Sequence, residues 1–295
     1  MTIFKGLEDI VQKDFPLGPM TTFGVGGKAR YFVRPRTDDQ LRETIERCAE
    51  KRLDVHAIGR GSNILVRDEG VKGAVIQLDG NAFGRITIEE DLLRAGAAAP
   101  LPKMVAEAAR QSLSGLECLV GVPGTAGGGV RTNAGGAYGD IGQTVERIKV
   151  MDAHGETFYR EREDLAFGYR TSNVSARFVL DVELRLLRDS VSAINKRMKK
   201  IWIAKKNSQP MSAATAGCVF KNPRGLAAGL LIDQAGLKGT AVGGAAVSRK
   251  HANYIVVRDK KKTKAADVLA LIELVRKAVK DRFDVYLELE IEVWP

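Results

Sequence analysis

Apolar and polar positions change period several times along the chain, and each change marks an element. Residues 28–36 (KARYFVRPR) alternate in part and predict a strand. From 38 to 52 the apolar positions Leu41, Ile45 and Cys48 recur at helical spacing, with Asp38 as N-cap. Two short apolar runs, Val55–Ile58 and Ile64–Arg67, flank a Gly-Arg-Gly-Ser-Asn connection, and Gly70 and Gly73 precede another strand, Ala74–Leu78. Strands follow near Arg85–Ile88 and Leu92–Ala95, and then a helix from Pro102 to Gln111 with proline in its first turn. Strands resume at Val145–Asp152, Glu156–Tyr159 and Val179–Leu187.

Beyond Asp189 the pattern turns basic. Val191–Lys205 predicts a cationic helix that ends at Gln209-Pro210, and a further helix falls within Gly225–Gly236. Tyr254–Val257 predicts a strand. Ala265–Phe283 is the clearest helix: Val268, Leu271, Ile272, Val275, Val279 and Phe283 share one face. The last segment, Val285–Val293, alternates as a strand. No internal repeat is present, and the whole reads as α+β in three lobes, with lobes of about 1–80 and 81–189 and a third unit over 190–295.

Composition narrows this. A chain of 295 residues accommodates two or three compact units, and 44% hydrophobic with 28% charged residues excludes wholesale disorder. Cys48, Cys118 and Cys218 form no CxxC pair, and His56, His154 and His251 are dispersed. A disulfide scaffold and a zinc cluster are therefore not expected, and a cytoplasmic location is. No apolar run reaches the roughly 18 residues of a membrane helix, and the N-terminal MTIFKGLEDIVQKDF does not read as a signal peptide. Lys plus Arg exceed Asp plus Glu, 46 to 36, giving a net charge of +10. Nucleic acid, anionic lipid or a phosphorylated small molecule would each suit that charge. The basic runs Lys196–Lys206 and Arg258–Lys264 lack a nucleic-acid motif and interleaved aromatics, and read first as solvated surface.

Glycine changes the picture most. The chain has 31, and nine lie in the 22-residue segment Gly121–Gly142. Such density argues against a regular helix or long strand there. It points to a rigid loop around a flat or diphosphate-bearing ligand, because the interleaved Val, Thr, Asn and Tyr are unlike a linker. Gly59-Arg60-Gly61-Ser62-Asn63 is either an ordinary turn or an anion cradle of backbone N–H groups, with neither Walker nor Rossmann spacing. In Phe167-Gly168-Tyr169-Arg170-Thr171-Ser172, Arg170 is a surface guanidinium or a fixed cation for a carboxylate. Cys218 in Ala216–Pro223 reads locally as a small buried hydrophobe. Glu288, Glu290 and Glu292 would share one strand face, either solvated or with one carboxylate turned into a site.

Taken in order, TTFGVGGKA, GRGSNILVRD, GVPGTAGGGVRTNAGGAYGD, FGYRTS, AGCVFKNP, GLLIDQAGLKG, GGAAVSRKHANYIV and LELEIEV resemble the UDP-N-acetylenolpyruvoylglucosamine reductase (MurB) family. The resemblance spans about Thr21 to Val293. It implies a two-lobed FAD-binding domain of the vanillyl-alcohol-oxidase type over 1–189 and an α+β substrate-binding domain over 190–295. It also implies a monomeric enzyme, with no nucleic-acid or membrane partner, that uses FAD and NADPH to reduce UDP-N-acetylglucosamine enolpyruvate.

Residue by residue, the resemblance places the catalytic trio at Arg170, Cys218 and Glu290. It places cofactor contacts at Gly59, Arg60, Gly61, Ser62, Asn63, Pro123, Gly124, Thr125, Gly127, Gly128, Asn133, Ala134 and Gly135. Substrate contacts fall on Tyr169, Lys221, Asn222, Lys238 and His251. The chain departs from the familiar pattern at Cys218, where the proton donor is usually serine. It also departs at Arg131 and Gly136, where a shorter or more apolar loop is usual, and at Lys205-Lys206, which replace an arginine-rich stretch. No tyrosine-bearing insertion lies between Thr171 and Gln209, which matches the shorter subclass. The competing readings are another FAD-dependent oxidase or dehydrogenase of the same fold and a non-catalytic basic nucleotide- or RNA-binding protein.

Overall fold

The computed structural model describes residues 3–295; Met1 and Thr2, the start of the segment read for a targeting signal, lie outside it. The principal elements are β1 (Val11–Pro16), β2 (Lys28–Val33), α1 (Asp38–Glu50), β3 (Val55–Ala57), β4 (Ile64–Val66), β5 (Val71–Ile76), β6 (Ile86–Glu89), β7 (Leu92–Gly96), α2 (Leu101–Arg110), α3 (Ala126–Arg131), β8 (Val145–Met151), β9 (Thr157–Glu161), β10 (Phe178–Arg185), α4 (Val191–Ser208), α5 (Ala228–Gln234), β11 (Ala245–Val247), β12 (Ile255–Val257), α6 (Ala265–Phe283) and β13 (Glu292–Trp294). They form two compact units. One comprises residues up to Gln12, Tyr31–Gly59 and Gly73–Ala204; the other comprises Lys13–Arg30, Arg60–Lys72 and Lys205–Pro295. A single cut near residue 189 is thus replaced by an interleaved division.

The first unit is built on a five-stranded sheet of order β9-β8-β10-β7-β6. Its period-2 pattern buries Leu93, Ala95, Ile148, Val150, Val182 and Leu184 with Leu101, Met104, Val105 and Val130 of α2 and α3. On the other face the register aligns Thr87, Arg94, Glu183, Arg147 and Glu161 across all five strands. Arg94 and Arg147 flank Glu183 at 3.2 and 2.8 Å. Such cross-strand pairs stabilise by about 0.2–1 kcal/mol each and fix register, and they tie down some of the excess cations. A second core packs Leu41, Ile45 and Cys48 of α1 with Phe4, Tyr31 and Ile76. Burial pushes the Cys48 thiol up to about 11, which makes it a packing group. The N-cap of α1 is Thr37, one residue before the expected Asp38: its Oγ1 accepts from Gln40 N–H at 3.1 Å.

The glycine segment contains a helix where none was expected. α3 reads AGGGVR, with Thr125 as its N-cap. Its poor intrinsic propensity is outweighed by packing, because a Cβ on Gly127 would sit 2.9 Å from Ala97 Cβ and 3.4 Å from Val179 Cβ. Glycine is what lets this helix lie directly on β7 and β10.

In the second unit α6 forms over the predicted range and buries Val268, Leu271, Ile272, Val275 and Val279 with Ala245, Val247, Ile255 and Val257 of β11 and β12. Its N-terminus is held by a residue far away in sequence: the Asp68 carboxylate accepts from Ala265 and Ala266 N–H, both at 2.9 Å. The single strand expected over Val285–Val293 is shorter. Only β13 is regular, paired parallel to β4 with Glu292 opposite Ile64. The preceding residues form no regular strand and bend at Glu290–Ile291, where the partners change: Glu290 N–H donates to Val219 C=O and then Glu292 N–H to Asn63 C=O.

Close backbone approach gives a test. A Cβ on Gly96 of β7 would meet Phe83 O at 2.2 Å, whereas nothing lies within 4 Å of one on Gly136. Gly96→Ala should cost about 1–3 kcal/mol in urea unfolding, and Gly136→Ala should stay within about 0.5 kcal/mol of the parent. Equal behaviour of the two variants would contradict the packing argument.

Candidate active site

The first unit presents its candidate residues on turns. Phe167 and Gly168 pair with Ser172 and Thr171, which leaves Tyr169-Arg170 as a two-residue hairpin turn. Arg170 occupies the left-handed region at φ 57°, a conformation that costs a non-glycine residue about 1–2 kcal/mol. Its Nη1 donates to Gly135 C=O at 2.9 Å, so the guanidinium is tied to the glycine segment. Asn133, also left-handed (φ 46°), is buried. Its Nδ2 donates to Gly168 C=O at 2.9 Å and its Oδ1 accepts from Gly142 N–H at 3.0 Å. One side chain thus locks the Arg170 hairpin to both ends of the loop. Gly124 C=O accepts from Leu101 N–H at 3.1 Å, and Ala134 C=O accepts from Ile141 N–H at 2.9 Å. Tyr169 is exposed.

Gly59 also belongs to this unit; the rest of the Gly59–Asn63 connection belongs to the other. A Cβ on Gly59 would stand 2.8 Å from Thr125 Oγ1, and one on Gly61 (φ 59°) would stand 2.2 Å from Met20 O. Each unit therefore carries a glycine turn pressed against a neighbouring polar loop. Close backbone with hydroxyls at a helix start suits the diphosphate of a dinucleotide, so the residues present fit FAD. Arg60 is exposed and Ser62 half-buried. Asn63 donates from Nδ2 to Glu290 C=O at 3.1 Å.

The second unit brings Cys218 and Glu290 onto neighbouring backbone. Cys218 lies opposite Tyr254, and Phe220 opposite Leu289. On one edge of this segment Val219 N–H donates to Asn253 C=O at 2.9 Å; on the other, Lys221 N–H donates to Glu288 C=O at 2.8 Å. Cys218 and Glu290 are both half-buried. The three glutamates do not form one regular face, because pairing switches between Glu290 and Glu292. Lys221 Nζ lies 3.7 Å from Glu288, and Lys238 Nζ 2.5 Å from Asp233. Asn222 Oδ1 accepts from Ala228 N–H at 3.0 Å and so caps α5 from a distance. His251 packs against Tyr254 with centroids 4.8 Å apart and the rings tilted at 60°. Burial, and secondarily Lys238, hold its imidazole below the usual histidine range.

Asn253 is the residue that motif reading passed over. It is buried, and its side chain bonds to both backbone groups of Phe220. Its presence in HANYIV was legible, but its use was not. A cleft of about 700 Å³ on the charged sheet face of the first unit, lined in part by Arg94, Lys149, Asp181 and Glu183, contains none of the motif residues.

Comparisons with known proteins identify the two domains. Residues 29–159 match the FAD binding domain family model. Residues 209–294 match the C-terminal domain model of UDP-N-acetylenolpyruvoylglucosamine reductase. The reductase of that name from Moorella thermoacetica is 40% identical over 290 residues, 98% of this chain and 95% of that protein. One from Clostridium botulinum is 38% identical over 293 residues, covering 97% and 94%. The crystal structure of the Thermus caldophilus enzyme superposes with a TM-score of 0.84 at 39% identity, covering 97% of this chain and 99% of that one. A histidine-to-alanine variant of cholesterol oxidase from Brevibacterium sterolicum, at 15% identity and a TM-score of 0.50, shares the fold over 64% of this chain and 40% of that one. The α+β chain, which carries both of these domains, belongs to the UDP-N-acetylenolpyruvoylglucosamine reductase family.

Proposed function

We propose that this chain is an NADPH-dependent flavoenzyme that reduces UDP-N-acetylglucosamine enolpyruvate to UDP-N-acetylmuramate in peptidoglycan precursor synthesis. The observation that carries the reading is the segment 218–221. Its backbone is pinned on one edge by 253–254 and on the other by 288–290, so a thiol and a carboxyl project from fixed, adjoining chain.

Gly59–Asn63 and Pro123–Gly135 would hold FAD, which when bound would supply the hydride that NADPH provides. The chain's own groups do the rest. As hydride adds to the vinyl methylene carbon, the π electrons pass toward the substrate carboxylate as an enolate. Arg170, fixed by Gly135 C=O, neutralises that charge, and Glu290 shares the task as a neutral carboxylic acid that donates a hydrogen bond. Cys218 Sγ–H gives its proton to the carbon next to the carboxylate, and solvent returns one to the thiolate. A thiol with an ordinary pKa near 8.5 is a better acid toward an enolate than a serine hydroxyl. Lys221, Lys238, Asn222, Tyr169 and His251 hold the nucleotide-sugar. A neutral His251 donates or accepts one hydrogen bond there without adding charge. Among the described residues no helix is long and apolar enough to cross a membrane. The enzyme works as a cytoplasmic monomer without a nucleic-acid or membrane partner.

Two measurements check these assignments. In Cys218→Ala, anaerobic flavin reduction by NADPH should match the parent, while re-oxidation by UDP-N-acetylglucosamine enolpyruvate should slow roughly 10²-fold or more; near-normal re-oxidation would remove Cys218 as the acid. By NMR, the His251 Cε1–H resonance should titrate with a midpoint below 6.5. A histidine whose folded pKa is depressed contributes stability above its unfolded pKa and loses it as pH falls through the folded value. A midpoint at or above 6.5 would contradict the burial argument.

A further inference from the structure

We infer that Asn253 is a positioning residue for the proton-transfer step, acting through the backbone of Phe220; this rests on Cys218 as proton donor. Phe220 is buried, and it lies in a segment paired to its neighbours only through isolated bridges rather than in a regular strand. Its N–H and C=O both need partners. One amide supplies them: Asn253 Oδ1 accepts from Phe220 N–H at 3.0 Å, and Nδ2 donates to Phe220 C=O at 2.8 Å. Asn253 C=O takes Val219 N–H as well, at 2.9 Å. The opposite edge of the same segment is held by Glu290 N–H on Val219 C=O and Glu288 C=O on Lys221 N–H, both at 2.8 Å.

The segment carrying Cys218 and Lys221 is therefore clamped between two others, and on one side the clamp is a side chain. The job needs one donor and one acceptor on a short stem. Aspartate lacks the donor when ionised, and alanine lacks both. The side-chain amide of Asn253 bonds to backbone alone. The titratable groups on the segments packed around it are His251, whose Nδ1 receives Asn253 N–H at 3.3 Å, Tyr254 beside it, and Asp233 of α5, which pairs with Lys238; Gly229 of α5 lies against Asn253. Cys218 and Lys221 lie on the clamped segment, and Glu288 and Glu290 on the third.

The amide's double role makes its carboxyl isostere pH-sensitive. In Asn253→Asp the ionised group still accepts from Phe220 N–H but confronts Phe220 C=O with a like partial charge. The protonated group accepts and donates as the amide does. Burial raises that carboxyl's pKa. The clamp is therefore present at low pH and lost as pH rises through the raised value.

The experiment compares both half-reactions of the FAD-loaded variant with the parent at pH 5.5 and pH 8. Reduction by NADPH should match the parent at both. Re-oxidation by UDP-N-acetylglucosamine enolpyruvate should be near parental at pH 5.5 and about 10-fold or more slower at pH 8, with the loss in kcat rather than KM. Asn253→Ala should lose re-oxidation at both pH values, and it serves alone if the carboxylate variant unfolds at pH 8. A second readout avoids turnover: Cys48 and Cys118 are buried, so iodoacetamide reports on Cys218. Its alkylation rate should differ from the parent at pH 8 and not at pH 5.5 in Asn253→Asp, and at both in Asn253→Ala. Parental re-oxidation and alkylation in both variants at pH 8 would overturn the inference. So would equal loss of both half-reactions at every pH. If Cys218→Ala turns over normally, the proton-donor reading fails; a pH-dependent loss in Asn253→Asp would then still assign the clamp, acting on Lys221.

Discussion

The second unit depends on a strap of chain near residue 290 that bends and exchanges partners over a few residues. Residues 288–290 hold the segment carrying Cys218, and two residues later the same strand pairs with β4. Asn63 sits at the exchange, donating to Glu290 C=O at 3.1 Å and accepting Glu292 N–H at 2.9 Å. Backbone bonds of this kind are each worth only about 0.5–1.5 kcal/mol net, but leaving a buried partner unpaired costs about 1–3 kcal/mol. Three segments distant in sequence therefore stand or fall together. Cys218 and Glu290 lie where the strap meets the first of these segments, whereas Arg170 stands on a turn of the first unit.

Glycine and charge acquire definite places. The glycines of the cofactor loops are sites of contact rather than of looseness: Gly59 against Thr125, Gly61 against Met20, Gly127 against Ala97. The cations divide. Arg94 and Arg147 are locked beside Glu183 on the sheet, and Arg197 bonds to Glu117 and Asp189, each at 2.7 Å. Lys196, Lys199 and Lys200 stand exposed on α4. The remaining positive charge suits polyanionic ligands.

Local periodicity made the elements with strong one-sided burial legible. α6 forms over the range its apolar stripe marks, and α1 differs mainly by a cap moved from Asp38 to Thr37. The misreadings share a cause: partners distant in sequence. The helix AGGGVR is stable only because β7 and β10 lie against it, and the alternation of Val285–Val293 conceals a change of neighbour. For the candidate site, the motifs singled out Arg170, Cys218 and Glu290. They could not reveal that Asn133 and Asn253 hold the loops carrying them, since a buried asparagine looks like any loop asparagine until both of its partners are placed.

The central claim is reduction of an enolpyruvyl nucleotide-sugar by way of a bound flavin. It is tested most directly by the visible spectrum of the purified holoprotein under anaerobic conditions. Addition of NADPH should bleach the oxidised flavin band, and UDP-N-acetylglucosamine enolpyruvate alone should restore it stoichiometrically. A protein that binds no FAD, or a reduced flavin that this substrate leaves bleached, would contradict the account.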